Sequence, residues 1–310
     1  MSKKIKPLAK ILDVSEEKDS ALKKELAKIS QEKKALLVTF IAPYVGKKVS
    51  PTRTLSAELG LSEEFGVESV INELCDKTDC RNLFLVLNSP GGYVDSSYKV
   101  ARALRKSFKN IVVFVPHVAA SGGTLVALTG NEIVMGMMSQ LTPLDPHSEF
   151  GKETTFAKSV IDGFESVTSF FKKTRVEDAP YTYKVLADKY DAEKLDRAIS
   201  ALTLMEDYIC EILGGCGYKK DKIKQIAESL VRGFKNHGEV ITLEKAKKIG
   251  LKVVGEEKYP KVWSVIREWL ETYLLQSADK HVIRYVISED LIKRKPKEEH
   301  ERKPKVPKTT

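Results

Sequence analysis

Residues 83–92 read LFLVLNSPGG, and residues 111–125 read IVVFVPHVAASGGTL. In each stretch an apolar run long enough for a buried strand leads into a turn of small residues with two adjacent glycines. A segment with helical periodicity follows the first turn, and a short run of small apolar residues follows the second. This order of strand, turn and helix predicts βαβ units and a mostly parallel sheet.

The alternation of strands and helices continues on both sides of these two stretches. Further strands are predicted at residues 35–42, 132–135 and 251–254, and further helices at residues 15–34, 62–74, 94–109, 188–213, 221–234 and 262–275. The predicted organisation has four parts: a helical extension (1–34), an α/β domain (35–256), a C-terminal helical segment (257–290) and a disordered basic tail (291–310).

Composition places the chain among soluble globular proteins. Of its 310 residues, 42% are hydrophobic and 31% are charged, and no apolar run reaches the length of about 18 residues that a transmembrane helix needs. The basic N-terminus lacks the apolar core of a signal peptide, so a cytoplasmic location is expected. The four cysteines are spaced C-x4-C and C-x5-C, which are not usual zinc patterns, so neither a metal nor a cofactor is expected.

The formal net charge of +9 is unevenly distributed. The last 20 residues contain eight Lys or Arg against three Glu, a net of +5, with three prolines and almost no apolar residue. This composition predicts disorder. The tail has no interleaved aromatic residues, so no specific nucleic-acid binding is expected, and weak contact with an anionic surface stays open.

The two glycine-bearing turns suit acyl-transfer chemistry. Gly91 and Gly92 allow a sharp turn and a close approach of the backbone to a substrate, and Ser121 stands at the start of a predicted helix. A serine nucleophile needs a base to remove its proton and backbone N–H donors to stabilise the oxyanion that forms. Gly122 offers one such donor. The alternative interpretation of Ser121 is a helix N-cap.

The two turns and three further segments resemble the Clp-protease/crotonase superfamily, and most closely its serine dehydrogenase proteinases, which are relatives of signal peptide peptidase A. The resemblance covers roughly residues 35–254. It rests on NSPGG (88–92), AASGGTL (119–125), NEIVM (131–135), SQLTPLDP (139–146) and ITLEKAKKIGL (241–251).

The resemblance implies a serine peptidase built on a spiral of βαβ units and flanked by terminal helices. Ser121 would be the nucleophile, and Gly91, Gly92 and Gly122 would frame the oxyanion hole. A peptide or protein would be the substrate. The resemblance also implies a homo-oligomer, for which the two terminal helices are candidate contact surfaces.

The resemblance leaves several residues open as the base. In the signal peptide peptidase A branch it is a lysine on a later helix, and in the Clp branch a histidine about 25 residues after the serine. Lys194, in a segment similar to the L-A-D-x-x-x-K helix of that branch, is the first choice for a Ser–Lys dyad. Lys189, Lys173 and His147 are the alternatives.

One departure from the pattern keeps other functions open. Thr142 stands where the close relatives usually have glycine, and a side chain there is expected to narrow the substrate groove. The alternatives are a non-catalytic oligomeric scaffold of the same fold and a crotonase-like acyl-CoA enzyme.

Overall fold

The computed structural model describes residues 16–42, 47–50, 53–55, 57–150, 153–274 and 281–293. The strands in these ranges are β1 (Leu36–Ile41), β2 (Lys47–Ser50), β3 (Arg53–Leu55), β4 (Asn82–Asn88), β5 (Asn110–Val115), β6 (Val118–Ala119), β7 (Glu132–Met135), β8 (Gln140–Leu141), β9 (His147–Phe150), β10 (Glu153–Phe156), β11 (Val253–Gly255) and β12 (Val282–Val286). The α-helices are α1 (Glu16–Lys33), α2 (Leu61–Lys77), α3 (Val94–Ser107), α4 (Gly122–Ala127), α5 (Ala157–Phe171), α6 (Tyr181–Asp188), α7 (Ala192–Gly214), α8 (Lys220–Arg232), α9 (Leu243–Ile249) and α10 (Pro260–Leu274). Two short 3-10 helices span Glu256–Lys258 and Glu289–Leu291.

A six-stranded sheet forms the centre of the fold. Its strand order is β11-β7-β5-β4-β1-β12, and every neighbouring pair is parallel except β1 and β12. The prediction of an α/β fold with a mostly parallel sheet is therefore confirmed. The carboxyl ends of β1, β4 and β5 lie at one edge of the sheet, where ligands bind in open parallel sheets.

The central strands are apolar on both faces, as a sheet covered by helices on both sides requires. In β4, Leu83, Leu85 and Leu87 point into one core, and Phe84 and Val86 point into the other. All five side chains are at most 8% exposed, and burial of each stabilises the fold by about 1.5–3 kcal/mol.

The terminal helices α1 and α10 cover one face of the sheet together. Leu22, Leu26 and Ile29 of α1 pack in one buried cluster with Trp263 and Trp269 of α10. The apolar sides of these helices are thus buried within the chain's own core. The suggestion that these helices also contact other subunits stays a prediction, which would involve their outer faces.

The C-terminal segment, expected to be helical over residues 257–290, also contains a strand. Strand β12 pairs with β1 in antiparallel register, with Val286 opposite Leu37 and Val282 opposite Ile41. Its residues are mostly β-branched or aromatic, which favours extended structure over a helix. The expectation of a purely helical segment was wrong on this point.

The basic tail was expected from residue 291, but Lys293 still contacts the folded part of the chain. Its amide donates to the Lys77 carbonyl at 2.8 Å, and its ammonium lies 3.1 Å from an Asp79 carboxylate oxygen. Residues 294–310, to which the prediction of disorder also applies, lie outside the described residues.

Two other segments differ from the sequence expectation. The helix predicted over residues 188–213 is α7, which begins four residues later, at Ala192, because the Asp191 carboxylate caps it and accepts the Glu193 amide at 2.8 Å. Strands β9 and β10, which pair with each other, and helix α5 precede it in a part of the chain for which no element was predicted. Among the described helices, none is long and apolar enough to cross a lipid bilayer.

Candidate active site

The two glycine-bearing turns lie side by side at the carboxyl edge of the sheet. The Ser89 amide donates to the Val118 carbonyl at 2.9 Å, and the Ala120 amide donates to the Ser89 carbonyl at 3.0 Å. The ladder that pairs β4 with β5 thus continues into the turns. It brings the residue before Ser121 into contact with the NSPGG turn.

Asn88 fixes this pairing from the end of β4. Its buried side chain donates to the Ala42 carbonyl at 2.7 Å and accepts the Val118 amide at 3.1 Å. One amide group therefore joins the ends of three chain segments, and so Asn88 is a structural part of the motif.

Ser121 has an unusual backbone conformation immediately before α4. Its φ of 49° and ψ of −121° cost a non-glycine residue about 1–3 kcal/mol, and such strain tends to occur at functional sites. Although Ser121 occupies the N-cap position, its side chain makes no capping hydrogen bond. The half-buried hydroxyl has no hydrogen-bond partner within the described parts of the chain. The N-cap interpretation of its side chain is therefore not supported.

Thr142 holds the strained serine in place. Its Oγ1 accepts the Ser121 amide at 2.7 Å, and its side chain is buried. Thr124 Oγ1 in turn donates to the Thr142 carbonyl at 2.9 Å and lies 3.1 Å from the Thr142 amide. Thr142, which was expected to narrow the groove, is turned away from solvent and supports the Ser121 turn.

Gly91 allows the two turns to touch. At its φ of 90°, a Cβ atom would lie 2.4 Å from the Ala120 carbonyl oxygen and 3.0 Å from Ser121 Cβ. Its own amide donates to Ser89 Oγ at 3.1 Å. Gly91 therefore provides close approach, while its N–H group is already bonded.

Gly92 and Gly122 provide amides that remain available. In the described ranges neither N–H group has a hydrogen-bond acceptor. A Cβ on Gly122 would lie 3.3 Å from the Gly92 nitrogen and 2.0 Å from Ser97 Oγ, so the two residues are close neighbours beside Ser121. Two neighbouring backbone donors next to a nucleophile can stabilise an oxyanion.

Lys194 lies at the N-terminal end of α7. Helix α7 runs alongside α3, with Tyr208 stacked on Tyr98 at 3.8 Å between ring centroids and Glu211 paired with Arg102. Lys194 is in the first turn of α7, which at 1.5 Å per residue lies about 20 Å along the helix from Tyr208.

The other predicted bases are exposed. Lys189 follows α6, and Lys173 follows α5. His147 begins β9, where its ring packs edge-on against Phe156 at 4.3 Å and against His237 at 5.6 Å. Burial, assisted by His147, lowers the pKa of His237 to about 4.

Asp145, in the loop after Thr142, and Lys158, in the first turn of α5, were not among the candidate site residues of the sequence analysis. Asp145 is 5% exposed, and burial raises the pKa of its carboxyl group to about 6. Its Oδ1 accepts the Lys158 amide at 3.0 Å, while the Lys158 side chain, 19% exposed, pairs through its ammonium with Asp162 at the surface. Thr142, which accepts the Ser121 amide, thus stands three residues before Asp145, which accepts the backbone amide of Lys158. In the sequence Asp145 belongs to the SQLTPLDP segment of the resemblance, and no motif singled out Lys158.

A strained serine beside two unbonded amides, at the carboxyl edge of a parallel α/β sheet, is an arrangement compatible with acyl transfer. The sequence matches the family described as ClpP-like SDH-type serine proteinase over residues 66–302, so the chain belongs to this family. The matched range includes both glycine-bearing turns.

Individual relatives match over shorter ranges. "Uncharacterized protein MJ0137" of Methanocaldococcus jannaschii is 32% identical over 181 residues, which are 56% of this chain and 55% of the relative. "Uncharacterized protein MJ1495" of the same organism is 29% identical over 169 residues, 54% of this chain and 51% of the relative. The chain thus spans about half the length of the curated relatives it matches.

Among solved structures, a similar one is a mutant of the 1510-N membrane-bound stomatin-specific protease. It is 14% identical, with a TM-score of 0.42, and the match covers 67% of this chain and 79% of that one.

Proposed function

We propose that this protein is a serine endopeptidase that cleaves peptide bonds through an acyl-enzyme formed on Ser121. The observation that carries the proposal is the pair of unbonded amides, Gly92 and Gly122, next to a strained serine whose hydroxyl does not cap its helix. Family membership supports the same reaction class.

The reaction proceeds in two stages. Ser121 Oγ attacks the carbonyl carbon of the substrate while a base takes the hydroxyl proton, and the oxyanion of the tetrahedral intermediate accepts the Gly92 and Gly122 N–H groups. The C–N bond breaks as the base returns the proton to the leaving amine. Water then attacks the ester in the same way, which releases the acyl product and restores the serine.

The residues around the turn have separate tasks in this mechanism. Gly91 brings the two turns together and does not donate, because its amide is bonded to Ser89. Thr142 maintains the backbone conformation that aims the Ser121 hydroxyl outward. Preorganisation of this kind places reacting groups before the substrate arrives.

A lysine is proposed as the base, in a Ser–Lys dyad of the signal peptide peptidase A type. Lys194 was the first choice from the sequence. It lies in the first turn of α7, about 20 Å along the helix from the Tyr208 contact with α3, and we therefore favour Lys158 instead. The Lys158 backbone is tied to the buried Asp145, three residues after Thr142. A base must come within hydrogen-bond reach of the hydroxyl when substrate binds, and such contacts are often longer in the free enzyme.

A fluorophosphonate probe tests this proposal, with the adduct on the full chain followed by intact mass. Wild type is expected to label and Ser121→Ala is not. Lys158→Ala is expected to lower the labelling rate at least about 100-fold, in the range of general-base effects. Lys194→Ala and His147→Ala should stay within about threefold of wild type, as should the exposed control Lys189→Ala.

Other outcomes assign the site differently. A large loss in Lys194→Ala alone would restore the sequence's first choice. If wild type does not label at all, the non-catalytic scaffold is favoured. It is the second candidate because, in the described ranges, no base is hydrogen-bonded to Ser121 Oγ. The homo-oligomer also stays a proposal, to be tested by sedimentation.

A further inference from the structure

The NSPGG turn rests on a histidine from the far end of the chain. Ser89 is fully buried, and its Oγ lies 2.8 Å from His281 Nε2, 192 residues later in sequence. The same Oγ accepts the Gly91 amide at 3.1 Å. The Ser89 hydroxyl group therefore links His281 to the turn that contains Gly92.

His281 is held rigidly at the start of β12. Its ring stacks on Phe40 of β1, with centroids 4.2 Å apart and planes inclined by 20°, and the residue is 6% exposed. Its Nδ1 lies 3.8 Å from Oε1 of the buried Glu63, within ion-pair range but longer than an ordinary hydrogen bond.

Glu63 anchors the opposite side of this arrangement. Its Oε2 accepts the Gly60 amide at 3.0 Å and the Ser62 hydroxyl at 2.7 Å, which fixes the start of α2. Burial opposes ionisation of Glu63, but the nearby His281 ring together with the hydrogen bonds from Ser62 and Gly60 outweighs it and lowers the pKa of Glu63 to about 2.

The charge states define the direction of the hydrogen bonds. Burial lowers the pKa of His281, against the opposing effect of the Glu63 carboxylate. A neutral ring with its proton on Nδ1, facing Glu63, leaves Nε2 as an acceptor for the Ser89 hydroxyl. Ser89 Oγ then has a lone pair directed at the Gly91 N–H.

We propose that His281 is a positioning residue for the oxyanion turn: through Ser89 it fixes Gly91 and so orients the Gly92 amide toward the substrate carbonyl. This inference rests on the proposed function for the meaning of the Gly92 amide. It makes the antiparallel strand β12, at the end of the described chain, part of the support of the active site.

Ser89, His281 and Glu63 follow one another in space as in a serine–histidine–carboxylate triad, but Ser89 is not a second nucleophile. Ser89 is 0% exposed and its Oγ already has two partners, so no substrate carbonyl can reach it. The role of His281 is therefore to hold the backbone.

Two substitutions separate the hydrogen bond from the packing. His281→Gln can place a side-chain amide near the position of Nε2 and keep the contact with Ser89. The side chain in His281→Asn is shorter, so it can keep a polar group near the position of Nδ1, facing Glu63, but it loses the contact with Ser89 Oγ. Ile283→Ala, on the same strand, serves as the control for a weakened β12, because the Ile283 side chain packs in the core but makes no bond to the turn.

Hydrogen exchange measured by mass spectrometry on the full chain reads the turn without requiring activity. His281→Asn is expected to raise amide exchange at residues 89–93 at least about tenfold and to slow fluorophosphonate labelling about 10- to 100-fold, the cost of misplaced catalytic groups. His281→Gln should stay within about threefold of wild type in both measurements. Ile283→Ala should raise exchange in β12 without a selective rise at residues 89–93.

Unchanged exchange at residues 89–93 in His281→Asn would overturn the inference, and so would an equal rise in Ile283→Ala. If wild type does not label with the probe, the proposed function fails. The exchange comparison of Asn with Gln then decides the positioning role by itself.

Discussion

Replacement of Thr142 by valine tests whether a buried side chain maintains the nucleophile turn. Valine keeps the branched shape of threonine but removes Oγ1, the acceptor 2.7 Å from the Ser121 amide. The main-chain bonds between Thr142 and Thr124 Oγ1 do not depend on the substituted side chain. The change therefore removes the Ser121 hydrogen bond and a long contact of 3.5 Å from Thr142 Oγ1 to the Pro143 carbonyl, and it leaves the rest of the site intact.

The expected loss of stability comes from the Ser121 amide, which the substitution leaves without an acceptor. A part-buried amide without an acceptor costs about 1–3 kcal/mol. The strained Ser121 backbone stores a similar amount, about 1–3 kcal/mol, which it can release by turning the hydroxyl away. We expect the free energy of unfolding to fall by about 1–2 kcal/mol and the labelling rate to fall about 10- to 30-fold, at about 1.4 kcal/mol per factor of ten.

Urea denaturation and fluorophosphonate labelling of the same samples measure the two effects. Thr142→Ser, which keeps the hydroxyl, is the matched control and should retain most of the labelling rate. If Thr142→Val labels within twofold of wild type, the Ser121 conformation does not depend on this hydrogen bond, and the reasoning is refuted.

Gly91→Ala should abolish labelling and destabilise the fold by several kcal/mol, because its Cβ would lie 2.4 Å from the Ala120 carbonyl oxygen at a φ of 90°. Gly214→Ala, whose Cβ meets nothing within 4 Å, is the control and should be neutral; a stable, active Gly91→Ala would show that the turns need not touch. Asp145→Asn should raise the melting temperature at pH 8 but not near pH 3.5. The folded-state pKa of Asp145, about 6, lies above its ordinary value of 3.8, so the carboxyl group contributes stability below pH 3.8 that is lost as pH rises through 6. At about 1.36 kcal/mol per pKa unit the gain is at most about 3 kcal/mol, and equal melting-temperature shifts at both pH values would argue against a buried, strained carboxylate.

The central strands and turns could be predicted because their signals are local. Five consecutive apolar residues in β4 are required by burial on both faces, and the glycines after them mark a turn wherever the chain goes next. The family resemblance then placed Ser121 and Gly92 in one site. The structure adds that Gly91 serves for close approach, which depends on the position of Ala120.

The supporting residues could not be predicted because their partners are distant in sequence. Strand β12 has five residues, and its pairing with β1 joins Thr39 to Arg284, 245 residues apart. Nothing in the sequence around His281 indicates that Ser89 is its partner. Lys194 was favoured by a motif, and the lateral packing of α7 on α3, which decides where the first turn of α7 lies, is not encoded in that motif.

The most direct test of the account is the site of covalent modification by a fluorophosphonate. After reaction of the full chain, proteolysis and tandem mass spectrometry identify the modified residue. The account predicts a single adduct on Ser121 in wild type and none in Ser121→Ala. An adduct on another residue, or one that persists in Ser121→Ala, would contradict the assignment of Ser121 as the nucleophile.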